Sequence, residues 1–402
     1  MLNVCSLEEA RRLLSKSFPK AFTGEESVSL SELCGRILSR DVVAEEFVPG
    51  FARSTVDGYA VHAADTFGCS DAIPALLVLK GEVTMGSVSR VVPQKNECCA
   101  IPTGGAMPTG CDAAVMAEHT EMLSGGMVAV LKASAPGNNV IFKGDDVKPG
   151  EMLIERGTRL SPKDIGSLAA AGAAGAYVYK KPRIAVISTG DELAKPGSVL
   201  KEGQIRDVNQ PMLAAALAED GAKPICSELL ADKYEMIRSA VVKGAQECDA
   251  VLLSGGTSVG EKDSAAQIMR ECGEVLLHGL ALKPGKPTLL GKISGKPVFG
   301  LPGNPVAALF VYLLLVRPWL YELRSCELTD IKIPLRLSRA IPSNNGREEC
   351  VAISVDGEQA VPIASKSGLI TTLKNADGYV RVPRDCEGLA AGALVEATIL
   401  WR

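Results

Sequence analysis

The chain has 402 residues, of which 47% are hydrophobic, and a net charge of −4. This length predicts about two to four domains, and the slightly acidic balance argues against a nucleic-acid binder, which would carry a basic surface. The first residues lack the apolar core of a signal peptide. The longest apolar run, Val306 to Val316, is shorter than the roughly 18 residues that a membrane span needs. We therefore expect a cytoplasmic protein without a membrane segment, and we interpret the run as a buried helix that ends at Arg317-Pro318.

The cysteines do not form a recognisable framework. Twelve are scattered along the chain, no C-x-x-C spacing occurs, and only three histidines accompany them. This pattern predicts reduced, mostly buried thiols and argues against a Cys/His zinc site. A metal, if one is used, should be a hard cation held by carboxylates and phosphate oxygens.

The first 181 residues predict a helical unit interrupted by a small β domain. A helix begins in residues 1–45 at a Ser-x-x-Glu capping pattern, Ser6 to Glu9. Residues 46–140 contain short β-rich runs separated by Gly, Pro and Asp. In residues 141–181 a second helix begins with Ser161 as N-cap and Pro162 in its first turn. We expect this segment to pack with the N-terminal helix, which would make the β domain an insertion.

The rest of the chain predicts two further domains. Residues 182–328 alternate near-continuous apolar strands with helices, a pattern typical of a doubly wound, mostly parallel α/β domain covered on both faces. Residues 329–402 consist of short β runs, which favour a small β-barrel or sandwich.

Three glycine-rich loops follow strands of the predicted α/β sheet. They are "STGDEL" (188–193), "SGGTSVGEKD" (254–263) and "GLPGNP" (300–305), the last of which ends with Asn304 as an N-cap before a proline. A single glycine pair after a strand is usually a plain turn. Several such loops at one sheet edge, however, favour an anion site built from free backbone N–H groups. The chain lacks a G-x-G-x-x-G sequence after the first strand, and "GLALKPGKP" fails the P-loop spacing.

Acids and lysines accompany these loops. Asp191 and Glu192 lie in the first loop and Asp263 closes the second, while Asp232 could equally be the N-cap of a helix. Carboxylates beside a phosphate cradle repel the ligand unless Mg²⁺ lies between them. The frame "LKPGKP" then carries Lys283 and Lys286. Together they indicate a Mg²⁺-dependent reaction of a phosphorylated ligand, with a second anion bound by lysines.

At this point the chain resembles a known family. "STVDGYAV", "PTGGAMPTGCDA", "STGDEL", "GQIRDVN", "SGGTSVGEKD", "LKPGKP", "GLPGNPVAA" and "SGLITTLKNADGYVRVP" occur in order over essentially the whole chain, as in the molybdopterin molybdenumtransferases, the MoeA proteins that also form the E domain of gephyrin. The resemblance implies insertion of molybdate into adenylylated molybdopterin with release of AMP, assisted by Mg²⁺. It also implies an elongated four-domain homodimer whose cleft lies between the α/β domain of one subunit and the inserted β domain of the other.

The resemblance assigns roles to particular residues. Asp57 and Thr103 would reach the cleft from the partner subunit, and Asp191, Glu192, Asp232 and Asp263 would position Mg²⁺ and the pyrophosphate link. The pterin side would be held by Ser254, Gly255, Gly256, Thr257 and Ser258, together with Pro302, Gly303 and Asn304. Molybdate would be bound by Lys283, Lys286, Pro287, Arg347 and Ser367. The expected catalytic residues are Asp57, Thr103, Glu192, Asp232, Asp263 and Lys283.

Some alternatives remain open at this level. A scaffold of the same fold, as in gephyrin, would not need its acids, and this chain keeps them. A tungstate-inserting relative would look the same in sequence. Transient partners would be the molybdopterin adenylyltransferase and apo-molybdoenzymes. Two departures from the family pattern, Ala307 in "GNPVA" and Gly279 before "LALKPGKP", both fall in the expected ligand region.

Overall fold

We describe the protein from a computed structural model, which covers residues 4–18, 24–87, 89–227, 229–256, 264–344, 346–363 and 370–400. The helices of this part of the chain are α1 Leu7–Ser17, α2 Pro162–Ala170, α3 Asn209–Glu219, α4 Tyr234–Glu247, α5 Ser264–Cys272, α6 Pro305–Val311, α7 Arg317–Glu322 and α8 Thr371–Lys374. A π-helical segment, Tyr312–Val316, joins α6 to α7. Short 3-10 turns occupy Leu30–Glu32, Ala63–Thr66 and Ala117–His119.

The starts of α1 and α2 confirm the predictions made from their capping patterns. At α1 the Ser6 hydroxyl accepts the N–H of Glu9, and the Glu9 carboxylate accepts the N–H of Ser6 at 2.7 Å. At α2 the same reciprocal pair joins Ser161 to Asp164, with a proline in the first turn. Each pair gives partners to backbone N–H groups that a helix start leaves unpaired.

Twelve strands lie in the described part of the first 180 residues. They are β1 Glu25–Ser29, β2 Val42–Val43, β3 Arg53–Ser54, β4 Gly58–Val61, β5 Ala75–Glu82, β6 Glu97–Ile101, β7 Ala113–Met116, β8 Thr120–Leu123, β9 Met127–Val130, β10 Val140–Ile141, β11 Met152–Ile154 and β12 Gly175–Tyr179. Strands β4 to β9 form one six-stranded sheet in the order β7-β4-β6-β5-β9-β8. The flanking strands pair antiparallel, β1 with β12, β2 with β11 and β3 with β10. The chain therefore leaves one unit, builds the β sheet and returns, which makes the β domain an insertion.

The helix α1 does not pack with α2, and that expectation was wrong. Its buried residues Leu7, Ala10 and Leu14 belong to the largest core cluster, which includes the helix at 305–322 and the α/β sheet. The helix α2 packs instead with Leu33, Leu38 and Val178 in a separate small core. The long apolar helix offers α1 the larger surface to bury, and burial of apolar area dominates such choices.

The α/β domain is confirmed as a doubly wound, mostly parallel sheet. Its region contains β13 Arg183–Ser188, β14 Leu193–Ala194, β15 Ile205–Arg206, β16 Lys223–Cys226, β17 Ala250–Ser254, β18 Gly273–His278, β19 Leu282–Lys283, β20 Leu289–Ile293 and β21 Lys296–Leu301. The sheet order is β16-β13-β17-β21-β20-β18. The first four strands are parallel, and β20 and β18 continue antiparallel. Helices α3 and α6 cover one face and α4 and α5 the other.

The apolar run is a buried helix, but Arg317-Pro318 do not end it. The helix continues from α6 through the π-helical segment into α7 and ends at Glu322. A proline inside a helix normally clashes with the carbonyl four residues earlier. Here the wider π-helical turn precedes Pro318, and the carbonyl of Leu314 accepts a 2.7 Å hydrogen bond from Arg11 Nε instead. Pro305–Glu322 is long and apolar enough to span a membrane by composition, yet 78% of it is buried inside the protein.

A buried carboxylate fixes this helix to α3. Asp220, just after α3, is 2% exposed and accepts hydrogen bonds from Tyr312 Oη at 2.6 Å and Arg317 Nε at 2.9 Å. Arg317 also contacts Asp330 at 2.8 Å. Burial, together with the neighbouring Asp220, raises the pKa of Tyr312, so the phenol remains a hydrogen-bond donor. The cluster ties α3, the long helix and the start of the C-terminal domain.

The C-terminal domain is a closed barrel. Its strands are β22 Lys332–Leu337, β23 Ile341–Pro342, β24 Glu348–Asp356, β25 Gln359–Pro362, β26 Gly378–Val382, β27 Gly388–Leu389 and β28 Leu394–Ile399. The ring closes because β24 pairs with both β25 and β26, while β22 and β28 complete it. Strand β19 of the α/β domain joins the same sheet parallel to β24, with Lys283 opposite Glu349. The two domains therefore share one sheet.

Candidate functional site

The three glycine loops begin side by side at one edge of the parallel sheet. Strands β13, β17 and β21 end at Ser188, Ser254 and Leu301, and these three residues are neighbours in register. Loops that leave the carboxyl ends of parallel strands form the usual ligand crevice of such a sheet. The predicted loops therefore lie together.

These loops line a cavity of about 770 Å³, which we call the sheet-edge cavity. Its lining comes from all three loops, from the segment before α3 and from three other positions, Asp232, Pro287 and Ile370. The residues of the first two groups are Thr189, Glu192, Leu193, Leu200, Ile205, Arg206, Asp207, Val208, Asn209, Ser254, Gly255, Gly256, Pro302, Gly303, Asn304 and Pro305. Of the predicted residues, it brings together Glu192, Asp232 and the glycines of the second and third loops. Among the described lining residues, the charged side chains are three carboxylates, Glu192, Asp207 and Asp232, and one cation, Arg206.

Asp232 has a different local role from an N-cap. Helix α4 begins at Tyr234, with Lys233 in the N-cap position. The Asp232 carboxylate instead accepts a 2.5 Å hydrogen bond from Thr189 Oγ1. The Asp191 carboxylate accepts the N–H of Asp232 at 3.0 Å and is not among the residues that line the cavity. Asp191 thus holds the loop that presents Asp232.

Gly255 occupies a position that no other residue could fill without rearrangement. Its φ is +97°, and a Cβ there would lie 2.2 Å from the carbonyl oxygen of Thr189. A side chain would be strained by the backbone conformation and would clash with the neighbouring strand. Gly256, with φ of +66°, continues the turn. The glycine is therefore required by the close packing of this loop against Thr189.

Two residues that the sequence reasoning did not assign connect the loops. Asn209 Nδ2 donates to Ser254 Oγ and to the carbonyl of Gly303, each at 2.7 Å. Asp207 Oδ1 accepts from Ser188 Oγ at 3.2 Å and from the N–H of Asn209 at 3.0 Å. The motif "GQIRDVN" was recognised only as part of the resemblance, and side-chain bridges of this kind carry no spacing signal in a sequence.

The carboxylates of the sheet-edge cavity suit a magnesium ion that is only partly held by protein. Among the described residues no group of three or more His, Cys, Asp or Glu side chains comes close enough to hold a metal alone. Mg²⁺ usually takes one or two carboxylates together with water and substrate phosphates. Glu192 and Asp232 are carboxylates that line this cavity, and Asp263 lies outside the described residues.

A second cavity, of about 670 Å³, lies between the α/β domain and the barrel, and we call it the interdomain cavity. Its charged lining residues are Lys283, Lys286, Arg339, Arg347 and Glu349, so cations outnumber carboxylates four to one. Pro287, Pro302 and Asn304 line both cavities. The two spaces therefore adjoin, one mainly acidic and one basic. The buried Cys350 also lines the second, where burial raises the pKa of its thiol and keeps it neutral.

The two departures from the family pattern, Ala307 and Gly279, differ in their position relative to the cavities. Ala307 lines the interdomain cavity, so this departure changes the wall of that cavity. Gly279 is not among the residues that line the two cavities. Its backbone pairs with Thr288 and Cys5 instead.

Asp57 and Thr103 lie together, and neither belongs to the lining of the two cavities. The N–H of Thr103 donates to Asp57 Oδ1 at 2.7 Å, and both residues are exposed on the inserted β domain. Neither lines a cavity described above. Four other predicted site residues, Thr257, Ser258, Asp263 and Ser367, lie outside the described residues.

Comparison with known proteins gives one family along the whole chain. The family model "MoeA N-terminal region (domain I and II)" matches residues 5–172, "Probable molybdopterin binding domain" matches 185–322, and "MoeA C-terminal region (domain IV)" matches 334–400.

Individual relatives agree with these models. Molybdopterin molybdenumtransferase 2 of Mycobacterium tuberculosis is 32% identical over 92% of this chain and 94% of its own length. The enzyme named molybdopterin molybdenumtransferase in Bacillus subtilis is 29% identical over 93% and 90%. A crystal structure of a molybdopterin biosynthesis MoeA protein from Pyrococcus horikoshii superposes with a TM-score of 0.88 at 31% identity, covering 99% of this chain and all of that one.

Proposed function

Because the chain belongs to the MoeA family of molybdopterin molybdenumtransferases, we propose that this transferase of molybdenum cofactor biosynthesis inserts molybdate into adenylylated molybdopterin and releases AMP. The observation that carries the proposal is the pair of adjoining cavities with opposite charge, which share Pro287, Pro302 and Asn304. One cavity suits a phosphorylated ligand with a cation, and the other suits an oxyanion.

The pterin substrate would occupy the sheet-edge cavity. Gly255 and Gly256 line this cavity, and their backbone N–H groups would donate to a phosphate, as in other anion sites at strand ends. Glu192 and Asp232 would repel the pyrophosphate link by themselves. These carboxylates would hold Mg²⁺, which would supply positive charge to offset that repulsion and to stabilise the charge that develops when the pyrophosphate link is cleaved.

Molybdate would occupy the interdomain cavity. Lys283, Lys286 and Arg347 converge on it, and fixed cations stabilise charge that gathers when a dianion approaches a phosphorylated ligand. Because the two cavities share lining residues, an oxyanion in the interdomain cavity would lie beside the pterin ligand in the sheet-edge cavity. No protein nucleophile is required by this arrangement.

We further propose a homodimer with a shared cleft. Asp57 and Thr103 are exposed, hydrogen-bonded to each other and absent from the lining of both cavities. A partner subunit would bring this pair over the cleft. The protein would work in the cytoplasm, receive its substrate from a molybdopterin adenylyltransferase and pass the product to apo-molybdoenzymes.

The direct test is AMP release from adenylylated molybdopterin. We expect AMP only when molybdate and Mg²⁺ are both present, and a strong loss of turnover in Asp232→Asn and Lys286→Met. Absence of AMP release under these conditions would refute the proposal. Replacing molybdate by tungstate, alone and in competition, measures which anion the site prefers.

Mixing two inactive variants tests the shared cleft. Asp57→Ala and Asp232→Asn homodimers should each be inactive, while subunit exchange between them should restore activity, because one cleft of the mixed dimer then has both residues intact. A chain carrying both changes is the control and should not restore activity with either single variant. A monomer mass by light scattering would contradict the dimer.

A further inference from the structure

The interdomain cavity contains one carboxylate that the proposed reaction does not use. Glu349 lines the cavity, and only 13% of its side chain is exposed. Its Oε1 lies 2.9 Å from Lys283 Nζ. Its Oε2 accepts a 2.6 Å hydrogen bond from Ser343 Oγ. An acid in a cavity suited to anions calls for an explanation.

The backbone holds this ion pair in place. Lys283 and Glu349 are directly opposite each other in the parallel pairing of β19 with β24. The N–H of Glu348 donates to the carbonyl of Ala281 at 2.9 Å, which fixes the register. With Ser343 on its other oxygen, the Glu349 carboxylate is anchored from two sides. Of the cavity's four cations, Lys283 is the one paired with a carboxylate in the part of the chain that the structure describes.

The pair has two opposing effects on an incoming oxyanion. Glu349 keeps the Lys283 amine at a fixed place at the cavity wall, which favours reaction because the group is positioned before substrate arrives. It also places a negative charge within a few ångströms of any dianion that contacts the same amine. Like charges at such a separation reduce affinity even at high dielectric, by about tenfold or more for a dianion.

We propose that Glu349 is a positioning residue that sets the oxyanion affinity of this cavity. It is the resident counter-ion of Lys283, and the oxyanion has to compete with it for the amine. The inference rests on the proposed function. Weak ground-state binding is compatible with fast reaction, since interactions that are equally strong in the ground state and the transition state do not raise kcat.

Binding of molybdate alone to the full-length protein tests the inference. By calorimetry, Glu349→Gln should bind molybdate roughly tenfold more tightly than the unaltered protein. Steady-state AMP release should show a lower KM for molybdate and a reduced kcat, because the amine loses its anchor. A structural role alone would weaken binding or leave it unchanged.

Three further variants sharpen the test. Glu348→Gln is the matched control, since Glu348 lies next in the same strand, pairs with Arg381 and does not line the cavity; its molybdate affinity should not change. Glu349→Ala also removes the charge and should likewise tighten molybdate binding, so this variant takes the place of Glu349→Gln if the latter folds poorly. In the Lys283→Met background, Glu349→Gln should increase the molybdate affinity much less, because the amine for which carboxylate and molybdate compete is absent.

The outcomes distinguish failure of this inference from failure of the proposed molybdate-insertion function. If Glu349→Gln binds molybdate no more tightly while AMP release by the unaltered protein continues, the inference is wrong and the function stands. Equal tightening by Glu348→Gln would indicate a general charge effect and also overturn it. If no variant, nor the unaltered protein, binds molybdate, both the inference and the oxyanion role of the cavity are refuted.

Discussion

Arg11 Nε donates a 2.7 Å hydrogen bond to the carbonyl of Leu314, four residues before Pro318. In a regular helix that carbonyl would accept the N–H of residue 318, which a proline lacks. An arginine from α1 therefore replaces the missing donor inside the longest helix of the protein.

Removing this donor should destabilise the fold. Leu314 is 2% exposed, so Arg11→Met would leave its carbonyl without a partner at a cost of about 1–3 kcal/mol. Chemical denaturation measures the change. Arg12→Met is the control, because Arg12 is exposed and pairs with the exposed Glu8 on the same helix, and a change within about 0.5 kcal/mol is expected. Equal losses in both variants would contradict the role of Arg11.

The buried carboxylate of Asp220 should matter more than that of Asp330, although both contact Arg317. The Asp220 side chain is 1% exposed and that of Asp330 is 26% exposed. Asp220→Ala leaves an arginine and two phenols in a buried space, and we expect a loss of about 3–5 kcal/mol. Asp330→Ala should cost about 1 kcal/mol or less. Urea denaturation of both variants checks the order, and a reversed order would contradict it.

Asn209 should affect activity beyond its effect on stability. Asn209→Ala removes the bridge between Ser254 and Gly303, so turnover in the AMP-release assay should fall about tenfold or more as the loops lose their relative position. Gln210→Ala is the matched control, because its amide bonds the carbonyls of Val186 and Ser227 and the residue does not line the cavity. It should lose similar stability with little loss of turnover. Parallel losses of turnover would refute the bridging role.

Stability should fall at alkaline pH partly through Tyr379. Burial, with the neighbouring Cys350, raises the pKa of Tyr379 to about 12, against roughly 10 in an unfolded chain. Between these values the unfolded chain releases the phenol proton and the folded chain keeps it, so the free energy of unfolding decreases as pH rises. Tyr379→Phe keeps the ring that contacts Phe310 and should show a shallower decrease in urea denaturation. Parallel slopes would contradict the assignment.

The parts of this structure that local patterns specify could be predicted from the sequence. Ser6 and Ser161 mark their helix starts because a capping box needs only nearby residues. The alternation of strands and helices after residue 182 predicted the doubly wound sheet, and the loops at Ser188 and Ser254 then had to share one edge. The resemblance supplied the identity of the ligand, which no local pattern contains.

Other features depend on contacts between distant segments. Pro318 reads as a helix stop, and only the combination of the π-helical turn and Arg11 explains why the helix continues. The packing of α1 depended on which apolar surface was largest in three dimensions. Asp207, Asn209 and Glu349 have ordinary residue types at ordinary positions, and their roles come from partners far away in the chain.

The pairing of β19 with β24 also has a consequence for engineering. Sequence divides the α/β domain from the barrel near residue 328, but Leu282 and Lys283 already form part of the barrel sheet through their pairing with Glu348 and Glu349. A chimera joined near residue 328 would place a foreign barrel against this edge strand. Unless Glu349 and its pairing partners were transferred as a set, the chimera would fold two sound domains around a defective anion cavity.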